Sequence, residues 1–182
     1  MNTQKEPGAW CFKIYTIVMS KKQKHRQRIK AAGALFLSIK TKRFLFLMRA
    51  DDTYTNTWAT VGGKTEPGET VIESLGREIQ EEIGFLPIVR KTIPIDLFIS
   101  NDEKFEFHTF ICLVDNEFIP KLNDEHKGYA WSGIDSYPRP LHPALFNALQ
   151  SAELKNKIEN VLNLLEVSQT NKFTKIDNFI IT

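Results

Sequence analysis

Three glutamates, Glu78, Glu81 and Glu82, are separated by three and four residues from the first. On a helix advancing about 100° per residue they share an arc of roughly 100°, and Ile72, Leu75, Ile79 and Ile83 share an adjoining arc of about 80°. The pattern predicts a helix over Thr70–Ile83 that docks through its isoleucines and leucine and gathers three carboxylates on one patch. Like charges at these spacings cost a helix a few tenths of a kcal/mol per pair, a penalty that a bound cation removes. Hard divalent ions prefer oxygen ligands, so the patch suits Mg²⁺, with Mn²⁺ as a substitute. Ahead of it runs Gly62-Gly63-Lys64-Thr65-Glu66-Pro67-Gly68-Glu69, where glycines permit close backbone approach and a carbonyl can serve as a further ligand. Lys64 to Glu82 carries six acidic and two basic residues. A bare phosphate is repelled by such an island unless a metal bridges the two.

Gly63, five residues, Glu69, seven residues, then Arg77-Glu78-Ile79-Gln80-Glu81-Glu82-Ile83-Gly84-Phe85 resembles the Nudix box. The resemblance is strict over these 23 residues and looser from about Ala31 to Leu165. Phe85 is bulkier than the aliphatic residue usual at its place, and Val61 stands where many relatives have proline. Neither departure removes a ligand. The resemblance implies an α/β fold, a Nudix-type α/β/α sandwich with a mixed β-sheet. It implies that Glu78, Glu81, Glu82 and the Gly63 carbonyl bind metal, that Arg77 orients the carboxylates by ion pairing, and that Glu69 supports the metal shell or pairs with Arg77. Gly84 also has a purely structural role open to it as a helix-ending glycine. The implied activity is hydrolysis of a nucleoside diphosphate linked to another moiety, with a box glutamate such as Glu81, or the loop residue Glu125, as general base. A plain surface position is the alternative for Glu125, and His126 is a weaker candidate beside it.

Several elements must position these groups. Ala31–Ile39 and Arg43–Met48 are apolar runs separated by Lys40-Thr41-Lys42 and read as a hairpin of buried strands. Thr57–Val61 reads as a short strand ending at Gly62-Gly63, and Ile95–Ser100 and Phe105–Val114 as two more. A polar loop over Asn116–Gly128 leads into Tyr129–Ile134. His142-Pro143 opens a helix, and Ala152–Leu165 forms another with Ile158, Val161, Leu162 and Leu165 on one side. Trp58, Tyr129 and Trp131 are candidates for stacking on a base, although core packing is the default for aromatics in strands. Lys64, beside the glycines, is a candidate phosphate contact.

The 182 residues, with 42% hydrophobic and 25% charged, fit one domain with appended ends and exclude a disordered polyelectrolyte. We expect a basic N-terminal extension over 1–30, a catalytic domain over 31–167 and a tail over 168–182. Lys21, Lys22, Lys24, Arg26, Arg28 and Lys30 give the extension six positive charges. Solvated surface is the first reading of that run and contact with RNA the second, because a net charge of +2 supplies little drive toward nucleic acid. Ile14–Met19 is too short for a secretory signal and Ala31–Ile39 too short to span a bilayer. Cys11 and Cys112, far apart and without a metal-ligand spacing, read as free thiols, so the expected compartment is the cytoplasm, without membrane association. The expected partner is a nucleotide-type small molecule, and a homodimer is compatible with the sequence. A nucleoside triphosphate, ordinary or oxidised, is the first substrate expectation, cleaved to the monophosphate and pyrophosphate. ADP-ribose, a dinucleotide or capped RNA, and a sensing module without turnover, are the alternatives.

Overall fold

A computed structural model describes residues 28–177, with side chains to residue 167. Most of the basic arm and Cys11 lie outside the described residues, as does the end of the expected tail. The element order is β1 (Ile29–Ser38), β2 (Phe44–Arg49), β3 (Trp58–Ala59), β4 (Val61–Lys64), α1 (Val71–Ile83), β5 (Val89–Ile99), β6 (Phe105–Val114), β7 (His126–Ser132), α2 (Pro143–Gln150) and α3 (Ala152–Asp177). Seven strands form one mixed sheet in the order β3-β2-β1-β6-β5, with β4 added to β1 and β7 to β2.

β1 is the centre, pairing parallel with β6 and antiparallel with β2 and β4. A strand covered on both faces needs an unbroken apolar run, which Ala31–Leu37 supplies. Alternate side chains divide between two cores. Ala32, Ala34 and Phe36 join Leu75, Ile79 and Ile83 of α1, whereas Leu35 and Leu37 join Leu149 of α2 and Leu154 and Ile158 of α3. Helices on both faces of a mixed sheet make the expected α/β/α sandwich. Cys112 is a buried free thiol. Among the described residues, no helix is long and apolar enough to cross a membrane.

The larger departures from the sequence expectations lie at the glycine pair, β5, β7 and the last helix. Gly62-Gly63 does not end a strand but lies within β4, opposite Gly33 and Ala32 of β1. The chain instead divides at Thr60, between the partner strands β2 and β1. β5 begins at Val89 rather than Ile95, taking in Arg90, Lys91 and Pro94, residues that break an alternating pattern but suit a strand at the edge of a sheet. β7 begins at His126 rather than Tyr129, through a register shift against β2. α3 continues past Leu165 to Asp177.

α1 is closed at both ends by its own sequence. Thr70 Oγ1 accepts from the Glu73 amide at 3.3 Å, and the Thr70 amide donates to Glu73 Oε2 at 2.8 Å, a reciprocal cap. Gly84 ends the helix at φ 79°. Its amide donates to the Gln80 carbonyl. A Cβ there would stand 2.8 Å from Lys121 Cβ and 3.0 Å from the Lys121 carbonyl oxygen, so alanine meets both an unfavourable φ and a crowded neighbour. Gly84→Ala is expected to lower stability by about 1–3 kcal/mol, read as a shift of the urea midpoint without a change of slope.

Candidate functional site

Arg77, on α1, is the hub of the acidic island. Its Nε and Nη2 meet Glu69 Oε1 and Oε2 at 2.8 and 3.2 Å. Its Nη1 reaches Glu78 Oε1 at 2.9 Å and Glu81 Oε2 at 3.0 Å, and Nη2 also donates to the Lys64 carbonyl at 2.9 Å. The planar guanidinium thus ties the turn before the helix, the end of β4 and two carboxylates into one arrangement. Glu69 accepts a further hydrogen bond from the Glu66 amide at 2.9 Å. The hydrogen bond from Arg77, with that amide, holds Glu69 below the usual carboxylate range, and Glu69 in turn raises Arg77. Of the two roles expected for Glu69, the structure displays the pairing with Arg77.

Glu82 is 4% exposed; its wheel position adjoins the apolar arc, but the helical pattern alone does not say that the sheet covers it. Ile72 is the converse, 56% exposed although Ile83, at nearly the same angle, is fully buried. Periodicity fixes direction around the helix axis, not how far along it the sheet reaches. The Gly62 amide donates to Glu82 Oε2 at 3.0 Å. Burial pushes Glu82 up to about 8, against that hydrogen bond; the charges of Glu78 and Glu125 add to the rise and that of Arg49 opposes it. Burial likewise raises Glu78, outweighing its bond to Arg77, and Glu81 and Glu125 add to that rise.

The glycine pair permits this approach. Gly62 has φ 142°, and a Cβ on it would overlap the Ala32 carbonyl across the ladder. A Cβ on Gly63 would overlap the Glu78 carboxylate. Backbone and two partly desolvated carboxylates therefore meet with nothing between them. Their oxygen donors are of the type a hard divalent ion takes. Among the described residues, no three histidine, cysteine, aspartate or glutamate groups stand together as a closed ligand set. Glu78 and Glu81 face Arg77 instead, so ion binding by all three box glutamates requires side-chain rotation away from it.

The remaining expected residues divide. Glu125 is exposed on the loop before β7, and its charge acts on both Glu78 and Glu82. Tyr129, 38% exposed, is opposite Leu47 and so shares the sheet face covered by α1. Trp131 is on that face too, but its indole N–H donates to the Phe118 carbonyl at 2.9 Å and its ring meets Phe118 edge-on. Trp58 packs with the core on the other face. Both tryptophan rings are partly buried against hydrophobic clusters, Trp131 on the α1 face and Trp58 on the other. The Lys64 side chain is exposed, and its carbonyl is what Arg77 holds. Sequence reading missed Arg49, a lone cation closing the apolar run of β2 and paired with Asp51, whose charge reaches Glu82, His126 and His142. A charge directly after five apolar residues was the available signal.

A family model described as NUDIX domain matches residues 27–151. Nucleoside triphosphatase NudI of Escherichia coli O17:K52:H18 is 33% identical over 101 residues, covering 48% of this chain and 71% of that protein. MutT NUDIX hydrolase from Burkholderia pseudomallei superposes with a TM-score of 0.54 at 24% identity, over 69% of this chain and 98% of that one. The NUDIX domain of Shewanella oneidensis NrtR, complexed with ADP ribose, gives 0.56 at 9% identity, over 80% and 97%. At these identities the two structures speak for the fold alone.

Glu82 links the site to pH. Its ordinary value is 4.5 and its folded value about 8, so the protonated form is the one the metal-free fold prefers. The corresponding stability is complete below pH 4.5 and is lost as pH rises toward 8, an effect on the order of a few kcal/mol. Urea unfolding of the metal-free protein from pH 5 to 9 is expected to show this decline, and Glu82→Gln to flatten it. Equal slopes in the two proteins would contradict it.

Proposed function

The chain belongs to the NUDIX domain family of hydrolases, and from that premise we propose that it is a Mg²⁺-dependent pyrophosphohydrolase acting on nucleoside triphosphates. The observation that carries the reading is the meeting of Glu78 and Glu82, both displaced toward protonation by burial, with the Gly62-Gly63 backbone. Two such carboxylates are stable together when a proton or a cation lies with them. A substrate that brings a divalent ion supplies the cation. The triphosphate class is favoured by the relative in Escherichia coli, whose name is nucleoside triphosphatase.

In this reading Glu78, Glu81, Glu82 and the Gly63 carbonyl would hold the ion, which when bound would neutralise the diphosphate and polarise it toward attack. Arg77, anchored by both oxygens of Glu69, holds Glu78 and Glu81 beside the seat until an ion draws them from it. Tyr129, on the same sheet face, offers the ring surface for a base, and Lys64, beside the glycines, a positive charge for a phosphate. Glu125 takes a proton from the attacking water. The water oxygen bonds to one phosphorus of the α,β-anhydride, the bridging oxygen departs with the other fragment and its electron pair, and the products are the nucleoside monophosphate and pyrophosphate. Because the reacting centre passes through a loose, charge-rich state, positioning and electrostatics do most of the work.

A panel of the common ribo- and deoxyribonucleoside triphosphates with their 8-oxo forms, ADP-ribose, a dinucleoside polyphosphate and capped RNA, incubated with Mg²⁺ or Mn²⁺ and resolved by product chromatography, tests this. A triphosphate is expected to turn over fastest, giving monophosphate and pyrophosphate, and Glu82→Gln to lower kcat by about a hundredfold or more. Faster cleavage of ADP-ribose or a cap would overturn the substrate class. Undiminished turnover by Glu82→Gln would overturn the site.

A further inference from the structure

The loop that carries Glu125 is built around one side chain. Asn123 Oδ1 stands 3.2 Å from the Glu125 amide and 3.1 Å from His126 Nδ1, and the Asn123 carbonyl accepts from the His126 amide at 3.2 Å. A backbone amide only donates, so the side-chain atom it meets is an acceptor, the oxygen of the asparagine amide. His126 Nδ1 therefore carries the hydrogen. The Glu125 carbonyl is fixed as well, accepting from the Ala50 amide at 2.7 Å.

His126, the first residue of β7, is 7% exposed. β7 pairs Gly128 with Met48 and then His126 with Arg49, leaving Lys127 as an extra residue. Such a bulge re-aims the side chains that follow it. Here it sets His126 opposite Arg49, on the face shared with Leu47, which packs in the same core as Leu75, Ile79 and Ile83 of α1. Burial, aided by the charge of Arg49, pulls His126 down to about 4, so the ring is neutral and keeps a single ring N–H to give.

We propose that Asn123 and His126 are positioning residues, a clamp that holds Glu125 over the box carboxylates so that it meets the attacking water in a fixed geometry. The proposal rests on the assignment of Glu125 as proton acceptor. Its chemistry is orientation alone: one buried ring N–H and one amide oxygen fix the residue between them, and misplacement of a reacting group by about 1 Å can lower a rate by up to a hundredfold.

Two measurements test it. In long-range ¹H–¹⁵N spectra at neutral pH, His126 is expected to appear as the Nδ1-protonated tautomer; the Nε2-protonated form would overturn the clamp without reference to activity. In kinetics with Mn²⁺ and the triphosphate turned over fastest in the panel above, His126→Gln and Asn123→Ala are expected to lower kcat about tenfold with KM within about twofold. His126→Asn, which restores a donor near the Nδ1 position, recovers most of that loss. In a Glu125→Gln background, His126→Gln has no further effect. Glu125→Gln with native kcat would overturn the proton-acceptor assignment; a loss in Glu125→Gln but none in Asn123→Ala, or full additivity of the two substitutions, would overturn the clamp alone. Should His126→Gln fail to fold, the loop substitution Asn123→Ala decides the outcome.

Discussion

A carboxylate with one hydrogen bond in a nearly closed pocket is a poor place for a negative charge, and Glu82 occupies such a place. Its oxygen meets the Gly62 amide, and its neighbours Glu78 and Glu125 are of the same sign. Desolvation that is not repaid by pairing pushes the group toward its neutral form. Much of the local architecture follows from keeping that pocket closed. The glycine pair lets β4 lie against β1 without a side chain between them, and α1 must dock closely enough to bury its fourth turn. The caps at Thr70 and Gly84 set where that turn begins and ends.

Arg77 answers the same constraint differently. It gathers Glu69, Glu78 and Glu81 and the Lys64 carbonyl within 3.2 Å, satisfying the acidic side chains that solvent still reaches. The island is therefore divided between Glu69, which the fixed guanidinium holds as an anion, and the pair Glu78 and Glu82, whose burial favours a proton or an ion. This division separates a site with ligand capacity from a merely acidic surface. Arg49 is the second cation near the pocket, and its pairing with Asp51 moderates the compensation it offers Glu82.

The sequence made the box legible because spacing along one helix converts directly into angle around it. It also made the central strands legible, since a run such as Ala31–Leu37 suits burial on both faces. Other features depended on long-range contacts. Glu82 and Ile72 exchange their expected exposures because docking depth is set by β1 and β4, which periodicity within α1 does not contain. Gly62-Gly63 looked like a strand end, yet close approach across a ladder asks for the same residues as a turn. For Trp131 the sequence could not supply the packing partner, Phe118, thirteen residues earlier, whose carbonyl takes the indole N–H. Asn123 drew no attention in the sequence, since asparagine in a polar loop has many uses.

The central claim is that Glu78, Glu82 and the Gly63 carbonyl form the oxygen-lined seat of a divalent ion that meets a diphosphate. Anomalous diffraction at the manganese edge, from crystals soaked with Mn²⁺ and an α,β-methylene nucleoside triphosphate, addresses it directly. A peak is expected within bonding distance of those oxygens, with phosphate oxygens on its open side. A peak elsewhere, or none while Glu82 stays on the Gly62 amide and Glu78 on Arg77, would contradict it.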